Sequence, residues 1–190
     1  MAEIWQIKSA PKIKFFLWKA MRNALPIGEN LSFRGINTYA TCPHCGLEET
    51  ITHLFFLWSF AKQVWEISPF HHLPIVNLTT PLRTVIEPSK RLICLPPVGI
   101  SDGPLFPWIL WTLWTSRNKK IFENRQATAP EVISQSIAHA KEWLLAKRQY
   151  LRLAPKESRL RLLSLVSRQS GSSRMPPGEL SHTKRVLDGH

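Results

Sequence analysis

Three residues whose types and spacing could hold a metal lie in "TCPHCGLEETITHLFFLW", Thr41 to Trp58. Cys42 and Cys45 form a Cys-x-x-Cys pair, and His53 follows. Two thiolates at that spacing on a tight turn can reach one zinc ion at about 2.3 Å each. Gly46, directly after the second Cys, gives the backbone the freedom such a turn needs. His53 can add an imidazole nitrogen where the chain re-enters a helix. A structural zinc site usually closes with a fourth ligand. Five residues beyond His53 stands Trp58, and indole cannot ligate. Water, or no metal at all, is the first answer to that gap. A carboxylate from Glu48 or Glu49 is the second, and Cys94 the third. His44, inside the Cys-x-x-Cys, is expected to point away from an ion held by its neighbours. Spacing alone leaves two readings open: a zinc site, or two ordinary small residues and a surface histidine.

The same residues offer little to covalent catalysis. A Cys–His nucleophile pair needs an orienting Asn or Asp, and none lies near Cys42, Cys45 or His53. Two-metal nucleotidyl transfer and RNase H cleavage need clustered carboxylates. The chain has two Asp, Asp102 and Asp188, and neither adjoins another acid. It has no Gly-rich phosphate loop and no Gly-x-Ser-x-Gly. The expectation is a non-catalytic protein with no small-molecule substrate identified.

The elements that must position the Cys and His residues are helical. "PKIKFFLWKAMRNAL" opens with Pro11, and its apolar residues recur at three- and four-residue steps, which predicts a helix from about 11 to 24. A shorter helix over 27–35 closes at Gly35. After the Cys loop, residues 49–68 read as helix with a break near Trp58-Ser59. Eight Pro are scattered from Pro69 to Pro107, where no periodicity persists, so that stretch reads as a linker. Helical spacing returns over 107–126 and again over 129–151, an αα-hairpin with Pro130 and Glu131 in the first turn of its second helix. Beyond that lies a basic, Ser-rich tail that reads as mostly disordered, with a helix expected only at 156–168. The fold class is therefore mainly α. Its expected divisions are a small α-rich zinc-knuckle domain at 4–68, a Pro-rich linker at 69–106, the helical hairpin at 107–151 and the tail at 152–190. None of the eight Trp lies beyond Trp143, which fits a tail outside the core.

Composition narrows the partners. The net charge is +12, and seven units of it fall in residues 141–190, where eleven Lys/Arg face four acids. A basic tail on a near-neutral head suits a polyanion, most simply nucleic acid, and also fits a merely solvated tail. Lys12, Lys14, Lys19 and Arg22 fall on the first long helix and Arg34 near the knuckle; these are the candidate phosphate-binding residues. Phe15, Phe16 and Trp18 on that helix are expected in the core. Three Cys form no disulfide framework, no signal peptide opens the chain, and no apolar run has membrane-spanning length. The sequence reads as soluble and intracellular, nuclear or cytoplasmic.

Two stretches carry a resemblance. "IWQIKSAPKIKFFLWKAMRNALPIGENLSFRGI" and "CPHCGLEETITHLFFLWSFAKQVW" resemble the zinc-binding domain of plant non-LTR retroelement reverse transcriptases. The shared pattern runs through Trp5, Pro11, Lys12, Phe15, Phe16 and Trp18, then Leu25, Pro26, Leu31 and Arg34. It continues through Cys42, Cys45, Gly46, Glu49, Thr50, His53, Leu54, Phe55, Phe56, Val64 and Trp65. "PWILWTLWTSRNKKIFENR" is similar to the segment that follows this domain in the same proteins. The resemblance implies Zn2+ as cofactor, with Cys42, Cys45 and His53 as ligands. It also implies a fourth Cys where this chain has Trp58, a change that a single base explains. The expected function is a non-catalytic zinc-binding module derived from a retroelement reverse transcriptase. It would bind nucleic acid through a site with a degenerate fourth position. The alternative is a decayed element fragment that acts as no more than a folded interaction or relic protein.

Overall fold

The computed structural model describes residues 2–36, 41–42, 44–73, 75–92, 94–96, 98–100 and 104–153. Residues 1–150 form one compact unit and 151–190 a second. Of the second, only the last turn of a helix, to Leu153, is described, so the expected helix at 156–168 and most of the basic tail lie outside the described residues. The described residues are mainly helical, as the sequence predicts: α1 (Ala2–Trp5), α2 (Pro11–Met21), α3 (Gly28–Phe33), a π-helical turn (His53–Leu57), α4 (Ser59–Glu66), α5 (Leu82–Ser89), α6 (Phe106–Glu123) and α7 (Ala129–Leu153). Among them no helix is long and apolar enough to cross a membrane.

Helix α2 begins at Pro11, whose missing N–H costs nothing in a first turn. It ends three residues sooner than the periodicity predicts, because Asn23 takes φ 53°, a left-handed conformation that Asn tolerates. The Ala24 N–H then donates to Lys19 O at 2.9 Å and the Asn23 N–H to Ala20 O at 3.1 Å, closing the helix end. Gly35, at φ 70°, ends α3 the same way, with the Ile36 N–H on Leu31 O at 3.0 Å.

The break expected near Trp58-Ser59 is present, and it is sharper than a bend. The Trp58 N–H donates to His53 O at 2.7 Å, a five-residue step that widens the turn. His53, Leu54, Phe55 and Phe56 are all buried, more than one stripe of an α-helix can hide. Trp65 of α4 returns its indole N–H to Phe55 O at 2.6 Å.

Helix α6 is the centre of the unit. Phe106, Trp108, Ile109, Leu110, Leu113 and Trp114 are all buried, so its first half is covered nearly all round. It packs against α2 and the π turn. Helix α7 lies against it where the Ser136 hydroxyl meets Thr112 Oγ1 at 3.0 Å and the rings of Trp108 and Trp143 stand 6.4 Å apart. One hydrophobic core runs from Ile4 through Leu54, Phe55 and Ile109 to Ala140.

Two elements depart from the sequence reading. Helix α1 was not expected, and α5 lies inside the stretch read as a linker. Leu82, Val85, Ile86 and Ser89 are buried on one face of α5, at helical spacing, with Pro81 just before the helix and Pro88 in its last turn. The Pro density masked a helix too short for its period to stand out. The linker stretch is further tied down by an antiparallel bridge between Phe70 and Cys94.

Candidate metal centre

The knuckle is built by backbone first. Thr41 and Glu48 pair as an isolated antiparallel bridge. Inside it the Cys42 N–H donates to Leu47 O at 2.6 Å and the Gly46 N–H to Cys42 O at 2.9 Å. Gly46 holds φ 71° there, so the turn uses the conformational freedom that only glycine has cheaply. The chain then runs into the π turn, which buries His53, and the His53 N–H is held by Thr50 Oγ1 at 3.0 Å.

These two pieces bring the candidate ligands together. One ligand atom each from Cys42, Cys45 and His53 lies within 4.8 Å of the others. The Cys45 sulfur is 3.3 Å from His53 Nε2. A tetrahedral zinc with bonds of about 2.0–2.3 Å has ligand–ligand edges of roughly 3.5–3.8 Å, so the trio needs only small adjustment to fit one. Cys42 and His53 are buried and Cys45 is exposed, which leaves the site open on one side.

Electrostatics suits ligation at the imidazole and resists it at one thiol. Burial pushes the His53 pKa down, with Glu49 pulling up and Lys62 pushing down. The ring is therefore held toward its neutral, lone-pair-bearing form. Burial pushes the Cys42 thiol up, while the N–H groups of His44 and Cys45 aim at its sulfur and pull the other way. A bound cation would favour the thiolate.

The candidates for a fourth ligand fare differently. Glu49 is spoken for: its Oε1 accepts Arg117 Nε at 2.8 Å, and its Oε2 accepts Arg117 Nη2 and the Gly28 N–H, the latter at 2.7 Å. Glu48 and Cys94 are not among the grouped ligands. Trp58 is 3 % exposed, with its ring 4.3 Å from that of His44, so the indole packs on the knuckle itself. The described residues thus group three protein ligands and no fourth.

Residues 1–65 match the family described as zinc-binding in reverse transcriptase. All three candidate ligands lie inside the segment matched to that reverse-transcriptase zinc-binding family, which covers 65 of the 190 residues. The match is to a zinc-binding domain and not to a polymerase domain. No curated protein and no solved structure matches the chain.

The remaining site residues are spread more widely. Lys12, Lys14 and Lys19 lie on α2, Arg22 caps its C-terminus, and Arg34 caps α3. The Lys12 ammonium sits 5.7 Å from the Trp111 ring centre, and Lys14 Nζ donates to Trp5 O at 2.7 Å. Of the aromatics expected in the core, Phe16 is there, but Phe15 is half exposed and Trp18 is only partly covered. The inner face of α2 is already filled by Ile13, Phe16, Leu17 and Ala20, which leaves no inward position for Phe15.

Sequence reasoning also missed Arg117. It comes from outside the matched segment, yet its guanidinium forks onto Glu49 between two of the ligands and lies over Trp114 at 5.5 Å. The signal was present: an Arg three residues past Trp114, the end of the most apolar run in the chain, on a helix that had to be buried.

Proposed function

We propose that this chain is a non-catalytic zinc-binding module that binds nucleic acid, with Cys42, Cys45 and His53 as its protein ligands. The observation that carries this reading is the convergence of those three ligand atoms within 4.8 Å, inside the segment matched to the reverse-transcriptase zinc-binding family. Zinc, when bound, supplies folding free energy by tying the knuckle to the π turn. The chain's own residues hold the fold on which nucleic acid docks: Lys12, Lys14, Lys19, Arg22 and Arg34 offer cations to phosphates, and the affinity falls as salt rises. The fourth position is degenerate, with Trp58 where a ligand would close the site.

Zinc stoichiometry of the purified chain, beside that of Trp58→Cys, tests the metal half. The expected outcome is weak, substoichiometric zinc in the first and about one ion per chain in the second, as four-coordinate closure requires. Full, equal occupancy in both would show that Trp58 does not weaken the site. Absence of zinc from both would remove the metal reading. The buried Trp58 favours one second reading, a decayed fragment that folds without a selected activity. A melt unchanged by chelator, together with no nucleic-acid binding, would select it.

A further inference from the structure

The outward face of α2 has a composition that its fold uses only in part, through the Lys12 ammonium 5.7 Å from the Trp111 ring centre. Lys12, Phe15, Lys19 and Arg22 follow at steps of three, four and three, which aligns them along one side of the helix. Phe15 is 50 % exposed on that ridge. Its ring is stacked on that of Trp18, with centroids 5.7 Å apart and planes 14° from parallel. The Lys19 ammonium lies 4.8 Å from the Phe15 ring centre. No Asp or Glu occurs between Pro11 and Met21. The last helix adds to the same charge, because Lys147 lies near enough to Lys14 to lower its pKa, second to the effect of burial.

Two near-parallel rings flanked by ammonium groups on an acid-free helix match one chemistry. Flat π faces take unpaired bases by stacking, and the cations take the phosphates beside them. A duplex hides its base faces, so only a single strand can use the rings. An apolar protein partner would have no use for three cations along the ridge. We infer that the outer face of α2 is a single-strand binding platform, on which Phe15 and Trp18 stack a base and Lys12, Lys19 and Arg22 hold the adjoining phosphates. This rests on the nucleic-acid reading above and gives it a place and a strand type.

The test is a fluorescence-anisotropy titration of the full chain with labelled oligo-dT, oligo-U and a duplex of equal length, each at several salt concentrations. The wild type should bind both single strands more tightly than the duplex. A preference between oligo-dT and oligo-U tells DNA from RNA as the source of the strand. Phe15→Ala should weaken single-strand binding about 5- to 150-fold, the range expected for one lost base stack, and leave the salt dependence unchanged. Lys12→Gln with Lys19→Gln should instead flatten the log–log salt slope by about 1.4. Phe15 is half exposed, so its truncation leaves the core intact, and an unaltered circular dichroism melt confirms it. Phe15→Ala binding like wild type would overturn the platform while leaving nucleic-acid binding elsewhere on the chain intact. Equal affinity for duplex and single strands would overturn the strand type. No binding by the wild type would overturn the platform and the nucleic-acid reading together. Loss of self-association in Phe15→Ala, with oligonucleotide binding unaffected, would make the face a protein contact and overturn it as well.

Discussion

Between Cys42 and Glu48, Cys45, Gly46, Leu47 and Glu48 all face solvent, and the turn is held by a few backbone hydrogen bonds. Along α6, Ile109, Leu110 and Leu113 have no exposed surface at all. Each buried side chain of that size contributes about 1.5–3 kcal/mol of transfer free energy, so α6 is secured by packing alone. The knuckle has no such reserve. Its form depends on a glycine, on its neighbours and, in the reading above, on an ion. Among the described residues, the fork of Arg117 on Glu49, the residue that follows the turn, joins the knuckle to α6. In a fold where one part is stable by packing and another by geometry, the joint between them decides whether they behave as one.

Breaking that joint should have the largest effect. Arg117→Met leaves the Glu49 carboxylate, 1 % exposed, with only the Gly28 N–H as partner among the described residues. Removing one member of a buried pair costs about 3–5 kcal/mol, because the other charge is left without compensation. Urea denaturation should show a loss of that order, and Glu49→Gln in the Arg117→Met background should recover most of it. A loss below about 1 kcal/mol would mean that the knuckle and α6 are not joined here. Because Glu49 stands between Cys45 and His53 in the chain, Arg117→Met should also lower zinc affinity even though Arg117 is no ligand.

How much of this the sequence discloses follows the same division. The long helices were legible because burial of one face writes a period into the residues: Phe16 in α2, Val132, Ile133 and Ala140 in α7. The trio of Cys42, Cys45 and His53 was legible because ligation restricts residue type as well as spacing. Helix α5 was not, since eight residues span two turns and its Pro residues argue for the opposite. Nor was the role of Glu49, which the sequence offered as a spare ligand: its partner stands 68 residues away, and no local rule connects the two. Phe15 misled for a related reason. Phe16 and Leu17 both turn inward, which puts Phe15 outside the buried arc of α2, and only the packed structure says where that arc lies.

A smaller effect sharpens the comparison from the knuckle side. Gly46 and Gly35 both hold φ near +70°, and a Cβ added at either would meet nothing within 4 Å. Alanine at each should therefore cost about 1 kcal/mol from backbone conformation alone. Their consequences should differ. Gly46→Ala strains the turn that sets the two sulfurs, so competition against a chromophoric chelator should show zinc affinity falling about fivefold. Gly35→Ala ends α3 and should leave that affinity unchanged. Equal losses in the two variants would mean that zinc binding senses general stability and not the local shape of the knuckle.

The smallest expected effect lies at the other end of the unit, in a joint that needs no metal. The Thr128 N–H donates to Glu131 Oε2 at 2.7 Å at the start of α7. That bond, with a second from the Thr128 hydroxyl, holds the Glu131 carboxyl below its ordinary value of 4.5. A carboxylate with a depressed folded pKa stabilises the fold above its unfolded pKa, and the contribution is lost as pH falls through the folded value. The gain from Glu131 should thus be complete at neutral pH, begin to fade as pH falls past about 4.5, and be gone only below the lowered folded value. Glu131→Gln should melt slightly below wild type at pH 7, and the gap should narrow as pH falls below about 4.5. The comparison is between the two proteins at each pH, which cancels the carboxylates they share. A gap that persists undiminished at pH 3 would show that the capping contact does not depend on charge.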